Sequence, residues 1–135
     1  MAGVHVYTSK IVVLPAHLDA LQHVNNVQYL HWMMEAAEAH WKERATAAQQ
    51  YEFIWVVSKH DIHYKGAALL GDVLELTTYT GECTGAGWWR HFTIHNTTTD
   101  AVIVQAKTLF VLLSRETEKP LRIQDAVLAI FREPY

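Results

Sequence analysis

Apolar residues recur along this chain in two rhythms, and the change between them marks the elements. Over residues 4–14, Val4, Val6, Ile11, Val12 and Val13 favour an extended strand, which Pro15 ends. Residues 16–25 make an irregular connection. The spacing then changes. Tyr29, Leu30, Met33, Met34, Ala37 and Trp41 recur at i, i+3 and i+4, with Glu35, Glu38, Lys42 and Glu43 largely between them. That pattern predicts one helix, starting at Asn26 or Val27 and running to about residue 49.

Everything beyond the helix reads as strands. Residues 53–65 are rich in Val, Ile, Trp and Tyr, and Gly66 and Gly71-Asp72 punctuate them. Residues 73–79 alternate apolar and polar positions. Gly81, Gly85 and Gly87 mark a turn before a strand at 88–95, and 96–100 form a second turn. Residues 101–113 are long and apolar, 114–119 are a polar turn, and 126–131 predict a short terminal helix. One long helix cannot cover both faces of a sheet, which excludes a doubly wound parallel fold. The expected class is α+β: an antiparallel sheet wrapped around one central helix, in a single domain over residues 1–135. Val102-Ile103-Val104 and the run from Leu109 to Leu113 are apolar on both alternations, so the second face is expected to meet a partner subunit.

Composition narrows the function. Half of the 135 residues are hydrophobic and 19% are charged, which suits a packed core. The net charge of −3 disfavours nucleic acid as a partner, because phosphate binding needs a concentrated basic face. The single cysteine, Cys83, has no intramolecular partner for a disulfide. No apolar run approaches the roughly 18 residues of a membrane helix, and residues 1–10 lack the apolar core of a signal peptide. The expected location is the cytoplasm, without membrane attachment.

The segment richest in chemistry joins the first strand to the helix: Leu18-Asp19-Ala20-Leu21-Gln22-His23-Val24-Asn25-Asn26. A helix N-terminus carries unpaired N–H donors and a partial positive charge, so it can grip a carbonyl and the oxyanion that forms from it. Asp19 stands just before that terminus, where a carboxylate can attack a carbonyl or deprotonate a water. Asn25 and Asn26 are natural N-cap residues. On spacing alone, an Asp or Asn at this position is ordinarily a cap.

Asp19, then His23-Val24-Asn25-Asn26, then Tyr29 resemble the signature of the hotdog-fold acyl-CoA thioesterases, and most of all the 4-hydroxybenzoyl-CoA thioesterase and YbgC-like group. His60-Asp61-Ile62-His63-Tyr64 followed by Gly71-Asp72 resembles that family's second strand and turn. Thr108 to Leu113 followed by Lys119-Pro120-Leu121-Arg122-Ile123 resembles its last strand and closing turn. Two positions depart from the pattern. Gln22 replaces a common Gly, and Gln124 replaces a common Pro.

The resemblance implies hydrolysis of an acyl-CoA to the free acid and CoA. It makes Asp19 the nucleophile or general base and gives the backbone N–H near Asn26 the scissile carbonyl. His23 and Asn25 would shape the loop or hold water and substrate, with Gln22, Val24 and Tyr64 lining the substrate site. It also implies a dimer or tetramer with sites at subunit interfaces and no cofactor. Lys65 and Arg90, placed near expected strand ends, are candidates for the CoA phosphates, although a solvated surface charge is the commoner role for each. Two other readings are an acyl-carrier-protein thioesterase and a non-catalytic acyl-CoA-binding hotdog module.

Nine histidines invite a metal site, but neither of the two pairs that stand out makes a compact site unaided. His60 and His63 point to opposite faces of a strand, and His91 and His95 lie about 13 Å apart along one. No metal is expected.

Overall fold

The computed structural model describes residues 3–133. Its strands are β1 (Tyr7–Val12), β2 (Phe53–Tyr64), β3 (Val73–Thr84), β4 (Gly87–Asn96) and β5 (Ala101–Ser114). Its helices are α1 (Asn26–Arg44), α2 (Ala47–Glu52) and α3 (Asp125–Leu128), with single 3-10 turns at Pro15–His17 and Ala129–Phe131. The strands form one antiparallel sheet in the order β1-β3-β4-β5-β2, so β1 and β2 are its edges. With α1 lying on one face, this is the hotdog arrangement.

Strand alternation supplies the inner face. Leu74, Leu76, Thr78 and Thr80 of β3 are buried, as are Trp88, Arg90, Phe92, Ile94 and Asn96 of β4. Against them α1 buries Tyr29, Trp32, Met33, Ala36, Ala37 and His40, a stripe at helical spacing. The sequence pattern located the helix but turned its buried face slightly. Leu30, Met34 and Trp41 are only half-buried, and Trp32, Ala36 and His40 take their places. Small Ala36 and Ala37 let the helix approach the sheet, and His40 is tolerated there because it is hydrogen-bonded.

The helix also ends earlier than its polar tail suggests. Thr46 starts a new capping box: its hydroxyl accepts the Gln49 N–H at 3.1 Å, and the Gln49 side-chain oxygen accepts the Thr46 N–H at 2.9 Å. Ala45 and Thr46 are therefore extended, and α2 is a separate turn of helix.

The outer face differs from the apolar surface expected of β5. Register places Tyr79, His91, Lys107 and Asp61 in one row and Thr77, Thr93, Gln105 and His63 in the next. Apolar outward residues gather at one end, around Trp89, Leu109 and Val111.

Beneath the sheet a polar relay crosses the core. The Arg90 Nη1 donates to His40 Nδ1 at 2.9 Å and to Thr78 Oγ1 at 3.2 Å. Since guanidinium only donates, His40 Nδ1 must accept, and its Nε2–H then donates to His5 Nδ1 at 2.8 Å. His5 Nε2 faces Glu133 at 3.4 Å. Burial, then the charge of Arg90, then His5 and Arg44 pull His40 down to about 3. Burial lowers Arg90 to about 10, leaving it charged at neutral pH.

The relay has a consequence for pH. Unfolded His40 takes a proton near 6.5, whereas the folded side chain resists it down to about 3. The unfolded state therefore binds more protons in between, so this contribution to stability is full above about pH 6.5 and drains away as pH falls toward 3. Urea unfolding followed from pH 7 to pH 4.5 is expected to show a falling midpoint, with a shallower fall in His40→Gln.

Candidate active site

The connection between β1 and α1 is held by its own backbone. Leu18 and Val24 form an antiparallel bridge. The Asp19 N–H donates to the His23 carbonyl at 2.8 Å, and the Gln22 N–H donates to the Asp19 carbonyl at 3.0 Å. Such a tight reversal requires a left-handed residue, and Gln22 supplies it with φ +63°. That is the position where the hotdog signature carries Gly, so the conformation is kept although the permissive residue is gone. The loop is anchored outward by the Val24 N–H on the Ala68 carbonyl and by the Asn25 N–H on the His17 carbonyl, each at 3.0 Å.

This closure fixes the carboxylate. Asp19 Oδ1 accepts the Leu21 N–H at 2.9 Å and the His23 N–H at 3.3 Å. Among the described residues Oδ2 accepts no hydrogen bond, and the side chain is half-buried. One oxygen is thus clamped, and the other is free of protein hydrogen bonds among the described residues.

The helix end is equally defined. The Asn25 Oδ1 accepts the Val27 N–H at 2.9 Å, and the Asn25 carbonyl accepts the Gln28 N–H at 2.9 Å. The Asn26 N–H donates to no group among the described residues. It is an orphan donor at the positive end of a 19-residue helix. Two tyrosines flank it. Tyr64 donates its hydroxyl to the Asn26 carbonyl at 3.4 Å, and the Tyr29 hydroxyl accepts the Ala68 N–H at 3.1 Å. Burial is the main cause that raises the Tyr29 phenol, with the charges of Asp72 and Asp19 adding to it, so it stays protonated.

The structure therefore brings Asp19, Asn25, Asn26 and Tyr64 around one helix end, with Gln22 and His23 exposed on the loop beside them. Lys65 follows Tyr64 and is exposed, its N–H donating to the Ile103 carbonyl at 2.8 Å. Two expectations are corrected. Val24 is 3% exposed and packs in the core, so it plugs the loop from beneath and presents no surface to substrate. Arg90 is the fourth residue of β4, not a strand end, and it is 5% exposed. Its inward alternation places it under α1, where it cannot meet a phosphate at the surface.

Sequence reading missed the His5–His40–Arg90 relay. The signal was a histidine seven residues beyond Met33, on the buried stripe. His5, His40 and Glu43 are also the one group among the described residues whose potential metal-ligating atoms lie within 4.8 Å of one another. A cation there would have to break the 2.8 Å bond between the histidines and sit beside the Arg90 charge. No helix among the described residues is long and apolar enough to cross a membrane.

Comparison with known proteins identifies the family. Residues 4–131 match the family described as the acyl-ACP thioesterase N-terminal domain. The chain is similar to the long-chain acyl-CoA thioesterase FadM of Escherichia coli, 29% identical over 121 residues that cover 86% of this chain and 89% of that one. Among solved structures it is similar to YbaW, a probable thioesterase from Escherichia coli, with TM-score 0.81 and 27% identity over 94% of this chain and 99% of that one. A 1,4-dihydroxy-2-naphthoyl-CoA thioesterase from Synechocystis shares the fold, with TM-score 0.79 and 17% identity over 93% and 95% of the two chains.

The strained turn gives a direct test. Gln22→Gly is expected to stabilise the protein by about 0.5–1 kcal/mol, because glycine adopts the left-handed region without a Cβ penalty. Gln22→Val should cost at least about 1 kcal/mol, since a β-branched side chain fits that region worst. Chemical denaturation of the three proteins reads both effects.

Proposed function

The chain belongs to the acyl-ACP thioesterase N-terminal domain family and is a thioester hydrolase, and on that premise we propose that it cleaves acyl-CoA at the Asp19 loop. The observation that carries this reading is the pairing of a half-clamped carboxylate with an unengaged amide at the start of α1. The Asn26 N–H holds the thioester oxygen and stabilises the charge that builds on it. Asp19 Oδ2 takes a proton from water, the water oxygen bonds to the acyl carbon, and collapse of the intermediate breaks the C–S bond. CoA leaves as a thiolate and recovers the proton, so no strong acid on sulfur is required. In the alternative route Oδ2 itself bonds to the acyl carbon, the C–S bond breaks and CoA leaves as the thiolate; water then hydrolyses the mixed anhydride to the Asp19 carboxylate and the free acid, whose proton passes to the thiolate. His23 and Asn25 shape the loop, Gln22 and Tyr64 border the acyl group, and Lys65 is the basic residue available to CoA phosphates.

Similarity to the FadM thioesterase favours CoA as the carrier. The family description favours a second reading, an acyl-carrier-protein thioester, and kcat/KM on matched acyl-CoA and acyl-carrier-protein substrates separates the two. The lone, exposed Cys83 suits a reducing cytoplasm.

The edge strand β2 supports a homodimer. It pairs with β5 on one side only, and Val56, Val57 and Tyr64 are exposed along it. Two such edges can pair to continue the sheet and set the exposed Asp19 loop against a second subunit.

Asp19→Asn is expected to lower kcat by at least about 100-fold with the fold intact, measured as thiol release from acyl-CoAs of graded length. Near-normal turnover would reject the assignment. Single turnover in oxygen-18 water reads the anhydride route: label appearing in Asp19 means that the carboxylate was acylated. Light scattering should return at least twice the chain mass, falling in Ser58→Pro, which blocks the β2 edge; a monomeric wild type contradicts the dimer.

A further inference from the structure

A cavity of about 440 Å³ lies between the second half of α1, the start of β2 and the inner face of β4. No residue from Leu18 to Asn26 lines it, so within one subunit it is distinct from the Asp19 loop. Its walls are aromatic: Trp41, Trp55, Trp88 and Phe110 surround an apolar space of the size that suits a small ligand.

The same cavity is lined by one buried charge, Arg90. Its guanidinium lies over the Phe131 ring, 5.0 Å from the centroid. Only Nη1 is engaged by side chains, on His40 and Thr78. Nε and Nη2 donate to no group among the described residues, and no carboxylate there forms an ion pair with Arg90. A guanidinium has five donors in a planar fork matched to a carboxylate, and burial without a counter-ion is costly. At the mouth, Arg115 and Lys42 add two more cations. The one carboxylate among the lining residues, Glu38, is paired with Lys42 at 2.9 Å.

We propose that this cavity binds a carboxylic acid with an apolar body, its carboxylate on the free donors of Arg90 and its body among the tryptophans. The ligand supplies the counter-ion that the protein does not. A neutral molecule of the same shape would gain the apolar contacts but leave the guanidinium unpaired. The site stands on the cavity and Arg90 alone and holds whether or not Asp19 is the catalytic carboxylate. The acid released by thioester hydrolysis is a member of this ligand class.

The test uses the intact protein, with its own tryptophans as reporters. Decanoate and decan-1-ol are titrated separately at pH 7 and followed by fluorescence and calorimetry. Decanoate is expected to bind at least ten times more tightly than the alcohol, and Arg90→Gln should bring the two affinities together. Phe110→Trp, which fills the cavity and leaves the relay intact, should weaken decanoate at least tenfold, and it answers the question even where Arg90→Gln fails to fold. Arg115→Ala should leave the preference for the acid in place. Equal affinities in the wild type, no binding of decanoate, undiminished binding by Phe110→Trp, or loss of the preference in Arg115→Ala would each overturn the proposal.

Discussion

One helix has to cover the whole inner face of a five-stranded sheet, and the rest of the structure follows from that constraint. Every inward side chain on β3, β4 and β5 must find its partner on α1 or on the C-terminal turns. Apolar positions do so by packing. Polar atoms that water does not reach must be satisfied inside the layer. Hence Arg90 donates through Nη1 to His40 and Thr78, leaving Nε and Nη2 without a partner among the described residues, and Asn96 donates to Asp72 at 2.8 Å. Among the described residues no fully buried side-chain nitrogen or oxygen lacks a partner. The polar relay is thus a condition for packing the helix where it packs.

The Asp19 loop meets a different requirement. Its geometry is set within a few residues, by amides of the same loop on the Asp19 carboxylate and by Asn25 on the first turn of α1. The rest of the fold only has to hold the two ends, through Ala68 and His17. A side chain held by short-range contacts needs little precision from distant packing. That suits a scaffold whose relatives keep the fold at 17% identity.

This division explains what the sequence made legible. The strands and the long helix showed in the alternation of Val73 to Tyr79 and in the spacing of Tyr29, Met33 and Ala37, because burial on one face imposes a period. The Asp19 segment was legible because its contacts are local in sequence. The Thr46 capping box was also written in the chain, as Thr-x-x-Gln, but the charged stretch before it reads as continuous helix. Arg90 was misplaced for a physical reason. Its partner His40 is fifty residues away, and its position in β4 reads equally well as an exposed arginine until the register against β3 is known. Val24 sits amid exposed residues, and only its contact with the Ala68 carbonyl reveals that it points inward.

The break at Ala45 and Thr46 has a wider meaning for the molecule. It sets the length of α1, and a 19-residue helix is a rod of about 28 Å. The carboxylate loop is fastened to one end of that rod, and the aromatic chamber opens beside the other. Gln50, just past the break, ties its side-chain amide to the carbonyls of Lys42 and Ala45 and so stiffens the far end. Adding or deleting a turn of helix there would deepen or shallow the chamber while leaving the Asp19 loop untouched. The carboxylate loop and the aromatic chamber are therefore mounted on opposite tips of a single strut, where each can change without disturbing the other.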